Sequence, residues 1–370
     1  MAVGSAGLLV PVFAPLTALT LAYTGHQLTK LQWASILHAF FTGPGRVSRI
    51  LLLVFLVMNR KNLPFAWTTR VLGSLFRHVA IRRSPGPPRV LYHYCVTTTH
   101  APLLETDYNF HKSNSTYFSD LDVSRSHLLM HLFAQGMERV TKNAAYKVVK
   151  DKDGNLIKGG FGIGLGSVFC SFKREIAPYS KYEMWSRILC FDRKWVYILT
   201  HFVDAGKVRP TSWDGKGLFR GVGKVRSAGG NKPAGESAGD ANGKSVDPSI
   251  ATTPDFQKHI FATAVTKYVF KLGRFTVHPA IVIGESGLLP ERPGGWRSGD
   301  SETGTPEDLS GFEAELASAA LNDDATWDWR RTEWERRKGM AFAEHFAALD
   351  GMHALFDGGD DGALGHFTPA

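Results

Sequence analysis

Residues 105 to 122 read Glu-Thr-Asp-Tyr-Asn-Phe-His-Lys-Ser-Asn-Ser-Thr-Tyr-Phe-Ser-Asp-Leu-Asp, a run of acids, imidazole, amide and hydroxyls in turn-forming residues. Its flanks constrain the fold. Arg89 to Leu104 is rich in Val, Thr and Tyr and reads as a strand, whereas Tyr117 to Met137 is apolar at helical spacing. The polar run is therefore a strand-to-helix loop. Such a loop can hold a carboxylate beside the free N–H groups of a helix start, a place where developing negative charge is stabilised. β-rich segments follow at Phe161 to Ile176, Tyr182 to Phe191, Trp195 to Val203 and His259 to Val282, the last read as a strand pair or one long bent strand. Ala144 to Lys150 and Leu156 onward flank Asp151-Lys-Asp-Gly-Asn155, a hairpin signal. Gly160, Gly162, Gly164 and Gly166 alternate and share one strand face, which lets another backbone approach; the Tyr117 helix is the expected neighbour.

The ends of the chain differ from this middle. Ser5 to Tyr23 carries no charge and approaches the roughly 20 residues that cross a bilayer. No Lys or Arg precedes it, while Lys30, Arg46, Arg49, Arg60, Lys61 and Arg70 follow, which by the positive-inside rule puts the bulk of the chain in the cytosol. Ile50 to Met58, parted from Trp33 to Phe41 by Pro44-Gly45-Arg46, is short and reads as interfacial or partly inserted. The competing reading makes both runs soluble core helices. A net charge of +9 suits an anionic membrane surface better than nucleic acid, since Lys and Arg are scattered and no reader motif accompanies them. Cys95, Cys170 and Cys190 lack metal spacing and read as buried thiols in a reducing compartment.

These shifts in composition divide the chain into residues 1–83, a membrane-anchoring region; residues 84–290, the main domain, opened by the rigid Ser84-Pro-Gly-Pro-Pro88 and interrupted by a Gly/Ser/Ala-rich insertion at about 209–256; and residues 291–370, a partly disordered helical extension. In the extension, Thr305-Pro-Glu-Asp308 reads as one helix start, and Asp324 as the cap of another that carries Trp327, Trp334 and Phe342.

A strand, a long helix and an antiparallel run wrapped around it is the order of the α+β hotdog fold. Asp107-Tyr-Asn-Phe-His111-Lys-Ser-Asn114-Ser-Thr-Tyr117 resembles the D-x-x-x-H-x-x-N-x-x-Y signature of acyl-thioester hydrolases of the 4-hydroxybenzoyl-CoA type. The continuation Phe118-Ser-Asp-Leu-Asp-Val-Ser-Arg125 resembles a membrane-anchored branch that includes fungal secondary-metabolite thioesterases of the leucinostatin-cluster kind. The resemblance spans Val90 to Val282, less the insertion. It implies that Asp107 is the general base or nucleophile toward a thioester carbonyl, that His111 orients the loop or lines the pocket, and that the backbone at Asn114 or Ser115 polarises the carbonyl. It implies an acyl-CoA or acyl-carrier-protein substrate, no metal or redox cofactor, and a homodimer with Asp107 at or near the interface. The expected location is the cytosolic face of an internal membrane such as the endoplasmic reticulum, with no nucleic-acid partner.

Each residue also has a plainer reading. Alone, Asp107 is a turn residue steadying its own loop, and only the matched spacing favours the acid. His111 reads equally as a structural histidine. Tyr117 faces the core or the substrate pocket, with the core favoured. Glu105 stands where the family often has Asp, so no second acidic role is assigned to it. The Asn114-Ser-Thr116 sequon is expected to stay unmodified. His127 and His131, one turn apart, lack a third ligand and read as core residues. Gly239 to Ser245 is one residue short of a phosphate loop, and Asp151-Lys-Asp-Gly is too short for a calcium loop. Two other functions remain open at this point. One is a hotdog hydratase, although Asp107 and His111 stand one residue too close and the motif's proline is missing. The other is a membrane-tethered protein that binds acyl groups without cutting them.

Overall fold

The computed structural model describes residue 26 and residues 32–81, 86–210, 256–296 and 327–356. Ser5 to Tyr23, nearly all of the insertion, Thr305-Pro-Glu-Asp308 and Asp324 lie outside these residues. The chain forms two compact units, Met1–Leu63 and Pro64–Ala370.

In the first unit, helix α1 (Trp33–Thr42) meets α2 (Arg46–Met58) at a bend of 106°. Gly45, at φ +74°, supplies the left-handed turn that a side chain resists. Arg49 closes the bend by donating to the carbonyls of Ala39 (2.9 Å), Phe40 (3.1 Å) and Pro44 (2.8 Å), so a cation meets the C-terminal end of α1. Leu51, Val54, Val57 and other apolar residues of α2 are exposed. Among the described residues no single helix is long and apolar enough to cross a membrane; α1 and α2 reach that length and composition only when counted together across their bend.

The second unit opens with α3 (Ala66–Phe76) and a π turn, Arg77–Ile81. Pro88–Tyr92 forms a 3-10 turn, so only Cys95–His100 of the expected first strand is extended, as β1. Pro88 opens that turn because its fixed φ suits a first helical position. After the polar loop comes α4 (Thr116–Thr141), the expected helix lengthened at both ends. A short helix, α5 (Asn143–Tyr146), occupies the start of the expected hairpin, of which a single bridge, Lys150 to Leu156, is formed. Then come β2 (Phe161–Phe172), β3 (Lys181–Phe191), β4 (Trp195–Asp204), β5 (Ile260–Leu272) and β6 (Phe275–Val277). The sheet is antiparallel in the order β1-β3-β4-β5-β2, with β6 paired to β5. Its concave face covers α4, which is the hotdog arrangement.

The expected extension of the last strand to Val282 is not what forms. Pro279 has no N–H for a ladder, and from there the chain coils into α6 (Pro279–Glu285), capped by His278, whose Nδ1 accepts the Ala280 N–H at 3.1 Å. The C-terminal helix α7 (Trp329–Ala348) is capped by Asp328, whose carboxylate accepts the Arg331 N–H at 3.1 Å, so Trp327 precedes the helix rather than riding on it.

Strand alternation sorts the core into two layers. Val196 and Ile198 of β4, with Phe270 of β5, meet Leu128, Leu132 and Phe133 of α4. Tyr197 points the other way and meets Met340, Ala343 and Phe346 of α7. Both faces of β4 are thus covered, which accounts for its nearly unbroken apolar sequence. The glycine row of β2 does not receive the helix. Phe161 and Ile163 turn inward, and the glycines occupy the outer face, where Gly166 leaves room for the Trp195 indole.

Close backbone approach occurs elsewhere. A Cβ on Gly136 of α4 would stand 2.0 Å from the Val282 carbonyl oxygen of α6, and one on Gly339 of α7 would stand 2.2 Å from that of Leu189. We therefore expect Gly136→Ala to destabilise the protein by about 1–3 kcal/mol or more, read by urea unfolding, because backbone cannot yield as a side-chain tip can. A stability equal to the parent's would contradict this packing.

Candidate active site

The loop from β1 to α4 is a small hairpin in its own right. Thr106 pairs with Lys112, the Asp107 N–H donates to His111 O at 3.0 Å, and the Phe110 N–H donates to Asp107 O at 3.1 Å. Phe110 takes φ +60°, the left-handed conformation this tight return needs. Asp107 steadies the turn, accepting the Asn109 N–H on Oδ1 at 2.9 Å, so the plainer turn role is real. Its carboxylate remains 22% exposed, which leaves Oδ2 within reach of water.

His111 stands beside it. Its Nδ1 is 3.6 Å from Asp107 Oδ2 and its Nε2 is 3.7 Å from Glu175 Oε1, ion-pair distances rather than hydrogen bonds. Asn114 and Ser115 are exposed at the start of α4, with Ser115 in the N-cap position. Among the described residues their N–H groups have no acceptor, whereas the Thr116 N–H already donates to Ser113 O. Tyr117 is inside the core, 2% exposed between Phe172 and Phe202, and burial pushes its hydroxyl pKa up. The loop thus joins Asp107 to His111, presents Asn114 and Ser115 at the helix start, and turns Tyr117 away.

Beneath the loop is a buried ionic cluster that sequence reasoning missed. Lys112 Nζ donates to Glu105 Oε2 at 2.5 Å and to Thr116 Oγ1 at 2.9 Å, and pairs with Asp120 Oδ2 at 3.1 Å. Asp120 also takes Arg70 of α3 at 3.2 Å and the Tyr182 hydroxyl of β3. Burial, then the Asp120 charge, pushes the Tyr182 pKa up. Two cations, Lys112 buried and Arg70 partly exposed, balance the two buried carboxylates, which makes their burial tolerable. Glu105 has a structural part here rather than a second acidic one. A signal was present: Asp120 and Ser124 interrupt the inward face of α4, and a polar residue on an apolar stripe demands a partner. Ser124 finds Thr97 and Ser186, which in turn meets Thr200.

His127 and His131 pack against His78 of the π turn, with His78 Nε2 3.1 Å from His127 Nδ1. Burial, helped by Arg77 and Arg70, pulls His127 down to about 4, so it is neutral at physiological pH. Among the described residues no group of three or more His, Cys, Asp or Glu side chains is placed to hold a metal ion. Among the described residues Cys95, Cys170 and Cys190 form no disulfide; only Cys190 is fully buried, and burial pushes Cys170 up to about 11.

The arrangement offers a water-accessible carboxylate, a neighbouring imidazole and uncommitted N–H groups at a helix start, which together suit acyl transfer to water. Residues 101–233 match the model of the thioesterase-like superfamily. The chain is 34% identical over 328 residues to a probable thioesterase, atnL, of Emericella nidulans, covering 85% of this chain and 90% of the relative. It is 31% identical over 316 residues to the thioesterase poxG of Penicillium oxalicum, covering 84% and 86%. Against the thioesterase lcsJ of Purpureocillium lilacinum it is 29% identical over 332 residues, covering 81% and 89%.

Replacing Lys112 by Met would strand Glu105 and Asp120 with one cation fewer. We expect a loss of about 3–5 kcal/mol in stability, read by chemical unfolding, with Glu105→Gln added to Lys112→Met recovering part of it. If the double variant is no better than the single one, Lys112 and Glu105 are not coupled as the distances indicate.

Proposed function

The chain belongs to the thioesterase-like superfamily and is a thioester hydrolase, and from that premise we propose that Asp107 is its general base, acting on an acyl-CoA or acyl-carrier-protein thioester. The observation that carries this reading is the partly exposed Asp107 carboxylate, in a turn that leads to the start of α4. One oxygen of Asp107 is held by the Asn109 N–H, and the other is open to accept a proton from water as that water adds to the thioester carbonyl. Charge developing on the carbonyl oxygen is met by the N–H groups of Asn114 and Ser115 at the positive end of α4. Collapse of the tetrahedral intermediate expels the carrier thiolate and leaves a free carboxylic acid. His111, near both Asp107 and Glu175, orients the carboxylate. Tyr117 supports the pocket from within the core rather than touching substrate.

Three features support a finer assignment. The exposed apolar faces of α1 and α2 suit a membrane surface, consistent with residues 1–83 as an anchor and the charge order that directs the hydrolase to the cytosolic side, as at the endoplasmic reticulum. The terminal strand β2 exposes Leu165, Phe169 and Phe172, and the candidate loop exposes Tyr108 and Phe110, which supports a homodimer that covers both. The Phe118 to Arg125 stretch, which resembles that of fungal secondary-metabolite thioesterases, supports a place in secondary metabolism, with the polyketide or fatty-acyl group delivered as a thioester.

Released thiol, followed across a panel of acyl-CoA and acyl-carrier-protein thioesters, identifies the substrate. Asp107→Asn is expected to lower kcat by about 10²–10⁴-fold with KM little changed; unaltered turnover would sink the role given to Asp107. Flotation with anionic vesicles is expected for the full chain, and light scattering in detergent is expected to give a dimer mass. A fully active monomer, or a chain that stays at the bottom of the gradient, would refute the corresponding assignment.

A further inference from the structure

A cleft of about 500 Å³ opens between α6, the segment after it and Val148. It is not the site just described. α6 meets α4 at Gly136, 20 residues beyond Thr116, which places the cleft roughly 30 Å along the helix axis from the candidate loop. Val148, Ile281, Leu289 and Trp296 supply apolar wall, and Arg292 supplies a cation.

Arg292 is incompletely paired. Its side chain is 2% exposed, one terminal nitrogen is 3.5 Å from Glu333 Oε2, and the other has no hydrogen-bond acceptor among the described residues. The guanidinium lies 4.9 Å from the Trp296 ring centre, which keeps it against the wall of the cleft. Glu333 cannot neutralise it alone, because the same buried carboxylate takes Arg336 Nε at 2.8 Å and Arg337 Nε at 3.0 Å. Three guanidinium groups thus converge on one carboxylate. A buried charged donor without an acceptor is costly, and an anion entering the cleft relieves that cost.

The wall and rim narrow the class of anion. Of the rim acids, Glu285 is held by Arg139 at 2.9 Å, while Glu291 is exposed and opposes a multiply charged group. The apolar wall beside Arg292 favours a hydrocarbon chain over a bare ion. We propose that this cleft binds an aliphatic monocarboxylate, its head group on Arg292 and its chain along Val148, Ile281, Leu289 and Trp296. The acid released by thioester hydrolysis belongs to this class, so a product can occupy the cleft; that link rests on the proposed function, whereas the binding itself does not.

The test is equilibrium dialysis of radiolabelled octanoate against the full chain in lipid nanodiscs, with empty nanodiscs as the blank. Saturable binding is expected, unchanged in Asp107→Asn, displaced by decanoate, and resistant to octanol or inorganic phosphate. Arg292→Met is expected to weaken it at least tenfold while thioester turnover by that variant shows it to be folded. Gly284→Phe, whose new side chain would start in open space beside Leu289, fills the cleft without touching Arg292 and is expected to weaken binding equally; it decides the matter if Arg292→Met fails to fold. Absence of saturable binding, binding by Gly284→Phe equal to the parent's, or displacement by phosphate as readily as by decanoate would overturn the proposal. Loss of octanoate binding in Asp107→Asn would instead place the ligand at the catalytic loop.

Discussion

Lys112 has no solvent exposure and stands between two carboxylates, Glu105 at the foot of the polar loop and Asp120 on the first turns of α4. A single ammonium therefore ties the approach to the loop, the loop itself and the helix it leads into. The Ser113 N–H adds a backbone bond back to Glu105 O at 2.7 Å, and the Lys112 N–H reaches Ile176 O at 2.8 Å. Between these anchors the Asp107 to Phe110 turn has little freedom. Such anchoring suits the role proposed for Asp107, because a carboxylate displaced by an ångström no longer meets its water. Arg70 and Tyr182 complete the coordination of Asp120, so α3 and β3 both bear on the position of the loop.

The long helix makes this arrangement possible at some cost. Its C-terminal half is an ordinary apolar core helix, with Leu128, Leu132, Phe133 and Val140 against the sheet and Gly136 pressed to α6. Its N-terminal half buries Asp120, Ser124 and Arg125, each of which needs a partner from another element. Arg125 finds Thr266 at 2.8 Å and Asp122, and lies over the Tyr268 ring. One end of the helix thus supplies stability, and the other meets the loop that carries the proposed Asp107 base. The same division places the Arg292 cleft at the apolar end, away from Asp107.

On the outer face of the sheet, α7 covers β3 and β4 through Tyr197, Met340 and Phe346. Lys267 is buried there, spanning the Trp195 and Phe346 rings and paired with Asp350 beyond the helix. Residues 327–356 of the C-terminal extension are therefore part of the folded unit. The helix gives β3 and β4 a second buried face, while β1 and β2 are the terminal strands of the sheet.

What the sequence by itself determined was the order of elements and the candidate loop. Period-two and period-3.6 patterns are local, so β3 and β4 are readable to within one residue and α4 to within one at its start and four at its end, as are the D-x-x-x-H spacing and the Asp-Gly turn. Patterns of this kind say which way a side chain alternates but not what it meets. The β2 glycines were assigned to the helix and belong to the outer face, and Val282 was placed on a strand although Pro279 had already ended the ladder. Nothing along the chain singles out Lys112, because its partners Glu105 and Asp120 lie seven and eight residues away on either side of it and meet only when loop and helix pack. The core position of Tyr117 is the one its sequence already favours, whereas that charge network and the convergence of three arginines on Glu333 arise from packing alone. Each depends on the low dielectric and close approach of a folded interior, where a charge without its partner is expensive and a pattern along the chain carries no record of the partner.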